Sequence, residues 1–183
     1  MPTVLAILPE GFEELEAVAP IDVLRRSGCT VLVAALGLTR RVTGRNQLVL
    51  EADTLLADLP SPEVAAPHDC LLLPGGPGVA LLRGSAAVRT LVVRYHDAGK
   101  LVAAICAAPT VLHDAGLLAG RRYTAHPSVA EELTAILASE RVVRDGNLLT
   151  SRGAGTALDF GLALVSALVA PEKSVEIAAA IQA

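Results

Sequence analysis

The chain has 183 residues, of which 52 % are hydrophobic and only 2 % are aromatic. This length predicts a single domain over residues 1–183, and the hydrophobicity excludes a disordered chain. The lack of aromatic side chains argues against modules that bind nucleic acids by base stacking. Because the formal net charge is −4 and the arginine pairs are scattered, we also expect no specific nucleic-acid partner.

The apolar stretches are too short to span a membrane. The longest end at Pro109 and Pro171, whereas a spanning helix needs about 20 apolar residues in a row. The N-terminal residues lack a basic region and become acidic by Glu10, which argues against a signal peptide. The three cysteines have no C-x-x-C spacing and predict neither a disulfide framework nor a metal site. We therefore expect a cytoplasmic protein with no membrane partner.

Strand and helix patterns alternate along the chain. In chain order, the sequence predicts strand Thr3–Leu8, helix Glu13–Arg26, strand Thr30–Ala35, a small hairpin or β-excursion at Val42 and Leu48–Leu50, strand Asp69–Leu73, helix Ser85–Ala98, strand Leu101–Ile105, helix Ala107–Ala115, strand Arg122–Ala125, helix Ser128–Ser139, strands Arg141–Arg144 and Leu148–Ser151, and helices Gly155–Val169 and Glu172–Ile181. This alternation predicts a doubly wound α/β sandwich, a mostly parallel sheet flanked by helices on both faces. In such folds ligands bind beyond the carboxyl ends of the strands.

Cys106 is the sharpest candidate at a strand end. It follows the predicted strand Leu101–Ile105 directly, and alanines around it permit a tight turn into a helix. The pattern is typical of a nucleophile elbow, in which a strained turn presents the side chain at the top of the sheet. A helix N-terminus favours the thiolate, so we expect a lowered pKa. A buried structural cysteine is the alternative, and it is our interpretation of Cys29 and Cys70.

Glycines follow another of these strands. Gly75 and Gly76 could bring backbone N–H groups close to a ligand and form an oxyanion hole beside a nucleophile. An ordinary turn is the alternative for this pair. The G-x-G-x-x-G fingerprint of dinucleotide-binding proteins is absent from the sequence, so no such cofactor is indicated.

Carboxylates and a histidine complete the candidates. Glu13 and Glu14 are interpreted as acidic residues at a helix start, where they favour the helix dipole. Glu16 is followed by apolar residues, and beside a thiolate its pKa would rise, so that it could donate a hydrogen bond to sulfur. His126 follows a predicted strand and is a candidate base, with an ordinary loop histidine as the alternative.

Five segments, in order along the chain, carry a resemblance to a known family. They are Glu13–Glu16 with Pro20–Val23, Leu73–Gly76, Ala103–Pro109, Thr124–Pro127 and Leu149–Thr156. With these segments the chain resembles the ThiJ/PfpI superfamily and, within it, the parkinsonism-associated deglycase branch and its bacterial relatives. The resemblance implies one ThiJ/PfpI-type domain, a flavodoxin-like sandwich, that forms a homodimer.

The resemblance also implies a site and an activity. Cys106 would be a nucleophile of low pKa and an oxidation sensor, with Glu16 as its protonated hydrogen-bond partner. Backbone amides near Gly76 and Ala107 would line an oxyanion site, with His126 close by. The implied activities are glyoxalase-type conversion of methylglyoxal to lactate without a cofactor and deglycation of adducts on proteins. Chaperone-like and oxidative-stress roles are implied as well.

The chemistry of such substrates agrees with these residues. A thiolate can attack the aldehyde of methylglyoxal to give a hemithioacetal, and a base must then move a proton between neighbouring carbons. Glu16 is preferred over His126 for this, because the family keeps it against the sulfur. The expected partners are therefore small reactive carbonyls or glycated adducts.

Two other functions compete with this one. A non-enzymatic redox sensor or chaperone would use Cys106 as an oxidisable thiol. A peptidase or amidase is less favoured, because Ala107 stands where the peptidase-like branch has histidine. The late His-x-Glu pair of glutamine amidotransferases is also missing at His126.

Overall fold

Parallel strands alternate with helices in the computed structural model, which describes residues 1–60 and 66–183. The strands are β1 (Thr3–Leu8), β2 (Thr30–Ala35), β3 (Arg41–Thr43), β4 (Val49–Glu51), β5 (Thr54–Leu55), β6 (Cys70–Leu73), β7 (Leu101–Ile105), β8 (Val142–Asp145) and β9 (Leu148–Ser151). The helices are α1 (Glu14–Arg26), α2 (Val79–Gly84), α3 (Ala86–Asp97), α4 (Pro109–Asp114), α5 (Ala157–Leu168) and α6 (Pro171–Ala180).

Within the described residues, seven strands form one sheet in the order β5-β2-β1-β6-β7-β9-β8. Every pairing in it is parallel except β8 with β9. Strands β3 and β4 form a separate antiparallel hairpin, as the sequence predicts. The mostly parallel sheet of the predicted α/β class is therefore confirmed.

Helices cover both faces of the sheet because side chains alternate along each strand. On β1, Val4, Ala6 and Leu8 belong to one buried cluster, whereas Leu5 and Ile7 belong to the other. Helices α1, α5 and α6 contribute to the first cluster and α2, α3 and α4 to the second. None of the helices in the described residues has the length and apolar character needed to cross a bilayer.

The segment between α4 and β8 differs from the prediction. Neither the strand at Arg122–Ala125 nor the helix at Ser128–Ser139 is present, and the only regular element there is a short 3-10 turn at Pro127–Val129. The backbone N–H of Thr124 donates to the side-chain oxygen of Thr150 at 2.9 Å, so it is not free for a strand ladder. Long-range contacts of this kind override the local pattern.

Smaller differences concern the element ends near the candidate site. The helix predicted from Ala107 begins at Pro109, where proline suits the first helical position because it has no N–H to satisfy. The sequence reasoning also missed α2 and the two-residue β5, which are too short to show a clear periodicity.

Candidate active site

The carboxyl ends of four parallel strands meet at one edge of the sheet. Strand β7 lies between β6 and β9, with Leu73 opposite Ala104 and Ser151 opposite Ile105. The next residues along these strands therefore lie side by side. This register brings the loops after β6, β7 and β9 together, and the loop after β1 joins them because β1 pairs with β6.

Cys106 occupies a strained turn immediately after β7. Its φ angle is +66°, a left-handed conformation that costs a non-glycine residue about 1–3 kcal/mol. Neighbouring backbone holds it there: its N–H donates to the carbonyl of Ser151 at 2.9 Å, and its carbonyl accepts from the N–H of His126 at 2.8 Å. The strained turn that the elbow pattern predicts is therefore present, and the side chain is only partly buried.

Glu16 reaches the same place from the first turn of α1. Its side chain is 1 % exposed, and its Oε2 accepts the N–H of Gly75 at 3.0 Å. Burial raises the pKa of Glu16 to about 7, and the negative charge of Glu13 acts in the same direction. The hydrogen bonds from Cys106 and Gly75 and the positive charge of Arg45 lower this pKa, but their effect is smaller in total. A buried carboxyl of raised pKa beside the sulfur agrees with the prediction from sequence. Near neutral pH it can either accept or donate a proton.

The expected low pKa of Cys106 is not found. Burial and the negative charge of Glu16 raise the pKa of the thiol to about 12, although the amides of Gly76 and Ala107 act in the opposite direction. The helix-dipole argument fails because α4 has only six residues and begins three residues after the sulfur, at Pro109. The thiol and the carboxyl are adjacent acids, and a negative charge on one disfavours a negative charge on the other.

Two neighbouring backbone N–H groups in the glycine loop after β6 donate to different side chains of the site. The N–H groups of Gly76 and Ala107 point at the sulfur, as an oxyanion site requires. The N–H of Gly75 donates to Glu16 instead, so its predicted place in the oxyanion site is wrong. A side chain at Gly75 would collide with the Glu16 carboxylate and lie 2.5 Å from Cβ of Cys106. Close approach of these two side chains therefore requires glycine there.

His126 borders the site but is not held as a base. The backbone N–H of Ser128 donates to its Nδ1 at 3.1 Å, which leaves the ring proton of the neutral form on Nε2. The imidazole is exposed at the surface. The ring can thus donate a hydrogen bond toward a bound molecule, whereas proton abstraction is better suited to Glu16.

Gly153 lies between His126, Glu16 and Cys106. A Cβ built on it would lie 3.3 Å from Cδ2 of His126, 3.6 Å from Oε1 of Glu16 and 3.9 Å from Sγ of Cys106. The three predicted site residues therefore surround one small space, which is open because this position has no side chain. In the described part of the chain, no group of three or more His, Cys, Asp or Glu side chains is arranged to hold a metal ion.

The sequence matches the family model described as the DJ-1/PfpI family over residues 2–167. The chain belongs to the DJ-1/PfpI family. It is 40 % identical over 178 residues to Protein dj-1beta of Drosophila melanogaster, covering 95 % of this chain and 93 % of that one. It is 34 % identical over 169 residues to Glutathione-independent glyoxalase DJR-1.2 of Caenorhabditis elegans, covering 91 % and 88 % of the two chains. The solved structure of oxidized Toxoplasma gondii DJ-1 superposes with a TM-score of 0.91 at 34 % identity, covering 100 % and 98 %.

Some site residues of this DJ-1/PfpI family member escaped the reasoning from sequence. The charge of Arg45 acts on Glu16, yet this arginine lies in no recognisable catalytic pattern. Gly153 lies in the family segment Leu149–Thr156, but the resemblance assigned it no role. Glu14 does more than start a helix: it is buried, and its carboxylate accepts hydrogen bonds from the backbone and side chain of Asn46 at 2.7 and 2.9 Å. Glu13, by contrast, is the helix-start residue that was predicted, and accepts the N–H of Glu16 at 2.9 Å.

Proposed function

We propose that the chain is a cysteine-dependent, cofactor-free enzyme that acts on reactive carbonyls, of the glyoxalase or deglycase type. The observation that carries the proposal is the contact of Cys106 with a buried Glu16 carboxyl whose pKa is about 7. The relative from Caenorhabditis elegans, named as a glutathione-independent glyoxalase, supports the same reaction class.

In the first step, Sγ of Cys106 attacks the aldehyde carbon of methylglyoxal while Glu16 takes the thiol proton. General-base activation suits a thiol of raised pKa, because no free thiolate has to accumulate beforehand. The aldehyde oxygen becomes an oxyanion, which the N–H groups of Gly76 and Ala107 stabilise. Glu16 then returns the proton to this oxygen, which gives a hemithioacetal.

In the second step, the Glu16 carboxylate removes the C–H proton of the hemithioacetal carbon and forms an enediolate. The proton returns to the former ketone carbon, and the hydroxyl proton on the first carbon's oxygen passes to the neighbouring oxygen. The first carbon is thereby oxidised, the second is reduced, and a lactyl thioester remains on Cys106. Water attacks the thioester carbonyl and the C–S bond breaks. Lactate leaves, and the thiol regains its proton. The overall change is the addition of one water, so no redox cofactor is needed.

Lactate formation from methylglyoxal tests this proposal. Cys106→Ser should abolish turnover, and Glu16→Ala should lower kcat about a hundredfold or more, as expected for loss of a general acid–base group. Cys29→Ala is the matched control, because it removes a buried thiol outside the site and should leave kcat unchanged. Turnover that survives Cys106→Ser would contradict the proposal.

The second candidate is a redox sensor without turnover. It is favoured by the amides of Gly76 and Ala107, which point at Sγ and can hold the oxygens of an oxidised sulfur. Once Glu16 has taken the thiol proton, mild peroxide should add two oxygens at Cys106 as a sulfinate, detected by intact mass, in a protein that forms no lactate. A protein that turns over methylglyoxal rapidly and resists this oxidation would exclude the sensor.

We also propose a homodimer. Exposed apolar side chains lie on α1, where Leu15 is 58 % and Val18 is 44 % exposed, and on the hairpin, where Leu48 is 62 % exposed. The Glu14 carboxylate binds the hairpin to α1, so these side chains share one part of the surface. Large apolar side chains exposed on neighbouring elements are typical of an interaction site. Sedimentation equilibrium of Leu15→Glu should report a shift from dimer to monomer.

A further inference from the structure

An open cleft of about 440 Å³ lies beside the nucleophile, bordered by His126, Gly153, Arg141 and Arg152. Gly153 separates the cleft from Sγ of Cys106 by little more than the space that a methyl group would fill. A molecule bound covalently at the sulfur can therefore extend past Gly153 into the cleft. The groups that line the cleft should select what the far end of that molecule carries.

The two arginines of the cleft differ in their partners. Arg141 is neutralised by Asp159, at 2.5 Å from its Nη2, and also donates to the carbonyl of Gly155 at 2.8 Å. Arg152 is partly buried, yet among the described residues its guanidinium has neither a hydrogen bond nor a carboxylate within ion-pair distance. No carboxylate belongs to the cleft lining in that described part. Arg152 thus contributes to the cleft lining a positive charge that no described residue compensates.

Hydrogen bonds on both sides of Arg152 fix the backbone of the loop that carries it. The N–H of Arg152 donates to the carbonyl of Arg141 at 3.3 Å. The hydroxyl of buried Thr156 accepts the N–H of Gly153 at 3.2 Å and lies 2.7 Å from Oγ of Ser151. A cation on a fixed backbone next to a reactive centre is suited to orienting an anionic substrate, because little backbone entropy is lost on binding.

We propose that Arg152 binds a carboxylate at the far end of an α-oxoaldehyde substrate while Cys106 engages its aldehyde. This inference rests on the proposed carbonyl activity and extends its substrate class from neutral dicarbonyls such as methylglyoxal to anionic ones. Arg152 is a specificity-determining binding residue that takes no part in proton transfer. Its planar guanidinium offers a bidentate fit to a carboxylate that lysine cannot reproduce.

A matched pair of substrates tests the assignment. 4,5-Dioxopentanoate carries the carboxylate, and its methyl ester has the same reactive end without the charge. The ratio of kcat/KM for the acid to that for the ester should fall about tenfold or more in Arg152→Gln, the loss expected for a hydrogen bond to a charged group. Arg152→Lys should restore part of it. Arg122→Gln is the control for charge, because Arg122 is exposed and outside the cleft lining.

The outcomes separate this inference from the proposed function. If Arg152→Gln leaves the ratio unchanged, or Arg122→Gln lowers it equally, the role of Arg152 is wrong while the carbonyl activity stands. If the wild type turns over neither substrate, the proposed function fails only when methylglyoxal also gives no lactate. Calorimetric titration with the product-like dianion 2-hydroxypentanedioate then decides: binding that weakens about tenfold in Arg152→Gln supports the anion site, and equal or absent binding overturns it.

Discussion

Replacing Glu16 by glutamine should make the protein more stable at high pH and leave it almost unchanged at low pH. The carboxyl is 1 % exposed and its pKa in the folded protein is about 7, above its ordinary value of 4.5. The neutral acid therefore contributes stability that is fully present below pH 4.5 and is lost as the pH rises through about 7. Glutamine stays neutral throughout, and its amide oxygen can still accept the N–H of Gly75.

The size of this effect follows from the pKa. A tenfold change in proton affinity is worth about 1.4 kcal/mol, so the displacement from 4.5 to about 7 corresponds to roughly 3 kcal/mol. The difference in free energy of unfolding between Glu16→Gln and wild type should grow by about that amount between pH values well below 4.5 and well above 7. Comparison at each pH cancels the titration of the other groups.

Urea denaturation of reduced protein across a pH series measures this difference directly. The matched control is Glu131→Gln, which removes a carboxylate from an exposed position outside the site and should give a difference that varies little with pH. A constant offset between Glu16→Gln and wild type at every pH would refute the reasoning. It would mean that burial beside Cys106 does not penalise the charge on Glu16.

Two further predictions concern the same site. Because the charge of Glu16 raises the pKa of Cys106, alkylation of this thiol by iodoacetamide should reach its half-maximal rate at a lower pH in Glu16→Gln than in wild type; coincident profiles would show that the two groups are not coupled. Gly75→Ala should cost about 1–3 kcal/mol of stability by overpacking, measured by urea denaturation, because its Cβ would collide with Glu16. Gly37→Ala, where a Cβ would meet nothing within 4 Å, should change stability by less than about 0.5 kcal/mol.

Much of the site was accessible from sequence because it lies at strand ends. The run Leu101–Ile105 is apolar throughout, which is typical of a strand buried on both faces, and whatever follows it must lie at the sheet edge. This places Cys106 without any knowledge of tertiary contacts. Glu16 was singled out because apolar residues follow it up to Asp22, and the family resemblance paired it with the sulfur. Its buried position agrees with that interpretation.

The pKa of Cys106 could not be predicted from the sequence. The pattern around Cys106 suggests a helix N-terminus and hence a lowered pKa, but the pKa depends on what surrounds the sulfur in space. A carboxylate from α1, far away along the chain, raises it through burial and charge. The expected low pKa of Cys106 was wrong because a local motif identifies the strained turn, but not the charges and the burial that act on the sulfur after folding.

The amino-acid sequence by itself determined the alternation of strands and helices, the sheet edge that carries Cys106 and the carboxylate that accompanies it. The first two follow from hydrophobic periodicity and from the order of elements, which are local properties of the chain. The carboxylate was paired with the cysteine by the family resemblance of the sequence. Only the tertiary structure decided the course of residues 122–139, the use of the Gly75 amide by Glu16 and the charge of Arg152, which is unpaired within residues 1–60 and 66–183. Each of these depends on groups that are distant in sequence and meet only after folding, so no local pattern records them.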